Sequence, residues 1–197
     1  MGYIFTSDWH AGEGMTPNTH SYLRPQPTDV MISSWLKMCR ERIGEADTFV
    51  FLGDLGIKLE DLEIYKNLPK CHEKILVMGD KEYNNKNFTK GEFLAFAQKT
   101  KIFDTIVDCS VVEIGGQTYY LSHKPVDCVE HCRSNTISAI CGHIHGIWRT
   151  SRMPNGQPIV NVGIDAWGGL VTEDFIIHQY GAITKGHYDR NALPQEW

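Results

Sequence analysis

The chain has 197 residues, 42% hydrophobic and 22% charged, with a formal net charge of -5. These values exclude a disordered, collagen-like or coiled-coil chain and leave enough sequence for one domain with a substantial core, expected to span residues 1–197. The mild acidity argues against general binding to nucleic-acid backbone, and no apolar run approaches the roughly 20 residues that cross a bilayer, so no membrane partner is expected.

Met1-Gly2-Tyr3-Ile4-Phe5 enters an apolar stretch with no basic leader or small-residue cleavage site, so a cytoplasmic location is the expectation. Tyr3 to Thr6, Thr48 to Leu52 and Ile75 to Met78 are short runs rich in β-branched and aromatic residues and read as buried strands. Residues 11 to 28 hold Gly12, Gly14, Pro17, Pro25 and Pro27 without periodicity and read as a long loop after the first strand. Ile32, Trp35, Leu36, Cys39 and Ile43 then recur on one helical face, with Thr28 or Asp29 as cap. Leu59, Leu62 and Leu68, then Phe93, Leu94, Phe96 and Ala97, suggest two more helices.

Strand and helix in alternation imply parallel strands with right-handed crossovers. Further on, Val111 to Ile114 and Thr118 to Leu121 flank Gly115-Gly116 as a hairpin, and Trp148 to Met153 and Pro158 to Val162 flank Asn155-Gly156 as another. Ile137 to Cys141 is a short apolar strand, and Phe175 to Ile177 suggests one more. The fold class is therefore α/β with mixed sheets, two sheets packed together and helices outside. The six cysteines read as reduced thiols. Cys128 and Cys132, with His131 beside them, have a metal-like spacing, but they lack a second ligand pair and fit one packed helix face equally well.

Aspartates and histidines gather at the strand ends. Asp8 and His10 follow the first strand, Asp54 the second, Asp80 the third, His123 the first hairpin, and His143 and His145 the strand ending at Cys141. Alternation along extended backbone would turn Asp8 and His10 to one side, likewise His143 and His145, and would turn Trp9 away into the core. Three carboxylates and four imidazoles can hold two divalent cations, and mixed N/O ligation suits Mn, Fe, Zn, Co or Ni better than Ca or Mg. Glycines 53, 79, 142 and 146 would let backbone approach such a cluster closely.

The ordered fragments Asp8-Trp9-His10, Gly53-Asp54, Gly79-Asp80-Lys81-Glu82, His123 and Gly142-His143-Ile144-His145 resemble the motifs of the calcineurin-like metallophosphoesterase superfamily. Asn161 to Trp167 is similar to the segment that follows the last histidine in small bacterial and phage members. The resemblance implies a four-layer α/β/β/α sandwich. It also implies one metal on Asp8, His10, Asp54 and His145, and a second on Asp54, Asp80, His123 and His143, with Asp54 bridging. The implied activity is phosphoester hydrolysis at a dinuclear metal centre.

One motif departs from the family. Asp80-Lys81 stands where the family has Asn followed by His. A lysine with an ordinary pKa of about 10.4 offsets phosphoryl charge but is poorly matched as a proton donor, so phosphodiesters or activated bonds are favoured over alkyl monoesters. A nucleotide-sugar pyrophosphatase and a catalytically weak scaffold of the same fold are the competing readings. Lys81 and Asp54 are the candidate catalytic residues, and Lys81, His20 and Arg24 the candidates for contacting a small phosphate-ester or nucleotide substrate, His20 and Arg24 being equally compatible with ordinary solvated roles.

Overall fold

The computed structural model describes residues 2–14, 24, 26 and 28–188. In chain order these form β1 (Tyr3–Thr6), α1 (Thr28–Arg42), β2 (Thr48–Phe51), a 3-10 helix (Asp61–Asn67), β3 (Glu73–Val77), α2 (Asp80–Tyr83), α3 (Lys90–Thr100), β4 (Thr105–Val107), β5 (Ser110–Ile114) and β6 (Gln117–Leu121). There follow α4 (Pro125–Cys132), β7 (Ser138–Cys141), β8 (Thr150–Arg152), β9 (Pro158–Asn161), α5 (Ile164–Trp167), β10 (Val171–Thr172) and α6 (Glu173–Thr184).

Among the described residues the strands make two five-stranded sheets, ordered β10-β1-β2-β3-β4 and β5-β6-β7-β9-β8. In the first, β1 to β4 run parallel and β10 pairs antiparallel with β1. In the second, β6, β7 and β9 are parallel, and antiparallel β5 and β8 form the edges. Side-chain alternation along these strands feeds separate cores. Phe49 and Phe51 of β2 face α1 and α3, packing on Ile32, Trp35, Leu36, Cys39 and Phe93. Val50 of β2 and Leu52 just past it face the other way, meeting Leu121, Ile140 and Val160 between the sheets. On the far side of the second sheet, Tyr120, Ala139, Cys141 and Ile159 pack on α4. The layers are thus helices, sheet, sheet and helix, the α/β/β/α sandwich expected from the sequence.

Both hairpins form with the expected turns. Gly115 and Gly116 have φ of 56° and 75°, the two positive values that a two-residue turn of matching twist requires. The second hairpin is shorter than expected, because β8 begins only at Thr150. Phe175 to Ile177 is not a strand but the first turns of α6, where Thr172 Oγ1 accepts from the Phe175 N–H and Ile176 and Ile183 are buried between the sheets. Trp9 is fully buried and packs on Trp35, Phe51 and Tyr65 with centroid separations of 5.4–5.6 Å. Cys128 and Cys132 are buried against the second sheet, so α4 uses them as small apolar side chains. No helix among the described residues is long and apolar enough to cross a membrane.

Candidate metal centre

The parallel strands β1, β2, β3, β6 and β7 end at one edge of the sandwich, and the loops that leave them carry the seven aspartates and histidines singled out above. Backbone hydrogen bonds continue past the strands: Asp8 N donates to Gly53 O at 3.0 Å, His10 N to Asp54 O at 3.0 Å, and Gly142 N to His123 O at 2.9 Å. Close approach of the loops demands glycine. A Cβ on Gly53 would lie 2.4 Å from Gly79 N, and one on Gly142 would lie 2.9 Å from Asp8 Oδ2.

Asp8, His10 and His145 form one group whose ligand atoms lie within 4.8 Å of one another, and Asp54, His123 and His143 form a second. Asp54 stands between them. Its Oδ2 is 3.6 Å from His10 Nε2, and its Oδ1 is 3.4 Å from His123 Nε2. Asp80 sits beside the second group, with Oδ2 3.5 Å from His143 Nδ1 and Oδ1 2.6 Å from Lys124 Nζ.

The way the ligands face together differs from the expected strand alternation. Asp8, His10, Asp54, His143 and His145 have φ of 63°, 54°, 59°, 71° and 48°, left-handed backbone that side chains other than Gly, Asn, Asp and His rarely adopt. Among the described residues only one other non-glycine, Lys101, shares it. Tight left-handed turns, not extended chain, therefore aim these side chains, and such strain concentrates where a site requires it.

The imidazoles are oriented from behind. His123 Nδ1 lies 2.6 Å from Leu52 O and His145 Nδ1 2.6 Å from Asp165 Oδ2, whereas His10 Nδ1 stands 3.1 Å from Glu13 Oε2 without hydrogen-bond geometry. An acceptor at Nδ1 fixes the proton there and assigns Nε2 to a ligand, the arrangement by which proteins orient metal-binding histidines. Both ring nitrogens of His10, and His123 Nε2, are buried without a hydrogen-bond partner. Buried nitrogens without a partner, aimed at buried carboxylates, fit a divalent cation.

Burial pushes the Asp8 carboxyl up. Burial presses the His123 imidazole down, but the Asp54 carboxylate beside it outweighs this and raises it to about 10. Burial drives His10 well below its ordinary value.

Several residues that the motifs did not single out support the ligands. Glu82, 1% exposed, accepts from Asp54 N at 3.0 Å, Leu55 N at 2.9 Å and Gly79 N at 2.7 Å, tying the loops after β2 and β3 together. Burial, followed by the Asp54 charge, raises its pKa to about 6. Asn161 donates to His145 O at 2.6 Å and Trp148 O at 2.7 Å. Asp165 pairs with both His145 and Arg24; burial pushes its carboxyl up, but these partners hold it at about 2. Glu82 and Asp165 lie within the motif segments, but only their burial and their partners show what they do.

Arg24 differs from expectation. Its Nε donates to Asp165 at 3.0 Å, its Nη1 to Trp9 O at 3.1 Å and its Nη2 to Asp8 O, and the residue is 8% exposed. Its donors clamp the first ligand loop to α5 and are taken up in doing so, which replaces the expected substrate contact with a buttressing role. His20 lies outside the described residues. Lys81 donates its backbone N–H to Asp54 Oδ1 at 2.9 Å, and its Nζ stands 3.8 Å from Glu13 Oε1. A cleft of about 440 Å3 opens beside the second group and is lined by Asp80, His123, Lys124, Tyr83 and Tyr120, among others.

The sequence matches no protein-family model and no curated protein. Solved structures do share the fold. A protein of unknown function from Aquifex aeolicus is 20% identical with a TM-score of 0.59, covering 90% of this chain and 98% of its own. An archaeal phosphodiesterase is 18% identical with a TM-score of 0.52, covering 83% and 84%. A phosphopantetheinyl hydrolase from Mycobacterium tuberculosis is 13% identical with a TM-score of 0.50, covering 82% and 88%.

Proposed function

We propose that the protein is a metal-dependent phosphoesterase of the calcineurin-like superfamily that hydrolyses phosphodiesters in preference to alkyl monoesters. The observation that carries this is the placement of Asp54, with one carboxylate oxygen toward each of two three-residue ligand groups, beside buried imidazole nitrogens that lack partners. Shared fold with a solved phosphodiesterase and a solved phosphopantetheinyl hydrolase supports the reading.

In it, Asp8, His10, Asp54 and His145 hold one divalent ion, and Asp54, Asp80, His123 and His143 a second, of the Mn, Fe, Zn, Co or Ni type. Ions held there supply Lewis-acid stabilisation of a phosphoryl group and water of lowered pKa. The chain's own residues do the rest. His123 and His145, fixed through Leu52 O and Asp165, present their ligand nitrogens without reorganisation. Lys81 places a positive charge at the rim near Glu13 and anchors Asp54 through its backbone N–H. No histidine stands at position 81 to protonate an alkoxide, so leaving groups that need no proton are preferred.

Protein reconstituted with Mn, Co, Ni or Zn is expected to cleave bis-p-nitrophenyl phosphate faster than an alkyl monoester such as glycerol phosphate, and Asp54→Ala to abolish both activities. Turnover of neither ester with any of these metals, or activity undiminished in Asp54→Ala, would overturn the proposal.

A further inference from the structure

The cleft beside the second ligand group is lined by Asp80, Asp108, Asp127 and His123, and among the described residues Lys124 is the one lysine or arginine that lines it. The Lys124 backbone is firmly placed. It follows His123, whose carbonyl accepts from Gly142 N at 2.9 Å, and it caps α4 with extended φ and ψ of -91° and 134°, followed by Pro125 at the first helical position. Its side chain is 37% exposed, and its ammonium meets Asp80 Oδ1 at 2.6 Å. The other oxygen of the same carboxylate is 3.5 Å from His143 Nδ1. One carboxylate therefore separates this cation from the second ligand group, and the two compete for it.

Lys81 is placed differently. Its ammonium is turned to Glu13, on the side of His10, and it borders a separate recess with Asn84, Asn85 and Asn87 rather than the cleft that holds Lys124. Of the two lysines, Lys124 is the one that lines the cleft beside the second ligand group.

We propose that Lys124 is a substrate-binding residue of this site, donating its ammonium to a phosphoryl oxygen in the cleft where Asp80 now accepts. The assignment rests on the phosphoesterase reading above. A phosphodiester spreads one negative charge over two oxygens as a carboxylate does, so it can replace Asp80 as acceptor, and an ammonium–phosphate contact in a half-enclosed site is a charge-assisted hydrogen bond. With no comparable cation lining the cleft, removing it should be felt directly in anion affinity. A purely structural Lys124–Asp80 pair would instead show itself in stability alone.

The experiment is calorimetric titration of inorganic phosphate into the Mn-loaded protein, preceded by titration of Mn into the metal-free protein. Lys124→Gln is expected to weaken phosphate about ten- to a hundredfold, the usual loss for a charge-assisted hydrogen bond. It should leave Mn affinity equal or higher, because a competitor for Asp80 is gone. Lys124→Arg should retain phosphate binding within about threefold, and Lys81→Gln should weaken it less than Lys124→Gln does. Phosphate affinity unchanged in Lys124→Gln, while wild type binds both Mn and phosphate, would overturn the assignment and leave the phosphoesterase reading standing. Wild type that takes up no Mn would overturn both.

Discussion

The pairing of His123 with Asp54 shows how single residues set the chemistry of this site. Without metal, the imidazole is held protonated up to about pH 10 by the neighbouring carboxylate. A group raised in the folded state stabilises the fold below its unfolded value of about 6.5, and that stability is lost as pH rises through about 10. In the proposed centre a metal ion would need the neutral imidazole, so near pH 7 its uptake would displace the His123 proton. Metal affinity is therefore expected to rise with pH between about 7 and 9. The heat of Mn binding should also differ between HEPES and Tris by the difference in buffer ionisation, scaled by the protons released. Identical heats in the two buffers would contradict this account of the pair.

Glu82 belongs to the scale of elements, because it joins two of them. Three backbone N–H groups from the ends of β2 and β3 converge on its buried carboxylate. Glu82→Gln keeps the shape but sets an amide NH2 against one of those donors, and Glu82→Ala leaves all three without an acceptor. Either change should lower stability by about 2–4 kcal/mol, read as a fall in the denaturation midpoint, and should weaken metal binding because Asp54 sits on one of the tethered loops. A variant as stable as wild type would show that water replaces the carboxylate.

What the sequence disclosed at this scale depended on burial. Strands β1 and β2 and the end of β3 are buried on both faces and read as continuous apolar runs, whereas β10, two residues long, carries no period at all. The run Phe175 to Ile177 looks like a strand because three apolar residues in a row have no helical spacing of their own. The helix is marked by Thr172 before it and by Ile183 a full two turns beyond Ile176. The order and types of the candidate ligands can be read in the sequence because aspartates and histidines gather where apolar runs end. Their aim cannot, because left-handed φ at Asp8 or His145 leaves no trace in composition. Lys124 was invisible for another reason: its importance lies in the cleft that it borders, and no motif includes it.

For the molecule as a whole, the centre is a concentration of buried carboxylates at one edge of the sandwich. Asp8, Asp54, Glu82 and Asp165 are all buried or nearly so at one edge of the sandwich. Cations should therefore stabilise the entire fold and not merely its loops. A divalent metal at about one hundred times its dissociation constant adds roughly 2.7 kcal/mol, which for a chain of this length corresponds to a rise of about 5–10 °C in Tm. Differential scanning calorimetry with Mn, followed by excess EDTA, is expected to show that rise and its reversal. An unchanged Tm at saturating Mn would mean that the buried carboxylates are already balanced by Arg24, His10 and His123.

The left-handed turns at Asp8, His10, Asp54, His143 and His145 carry a consequence of a different kind. Each such turn costs on the order of 1 kcal/mol for a residue with a Cβ, so together they consume a share of stability comparable to the net margin of an ordinary domain. Glycine at these positions would relieve backbone strain, although at Asp8 and Asp54 it would also strand the N–H groups of His143 and Lys81 that those carboxylates accept. Selection for robustness alone thus runs against the site. A thermostable variant obtained without a screen for metal retention is apt to have lost what the turns exist to hold.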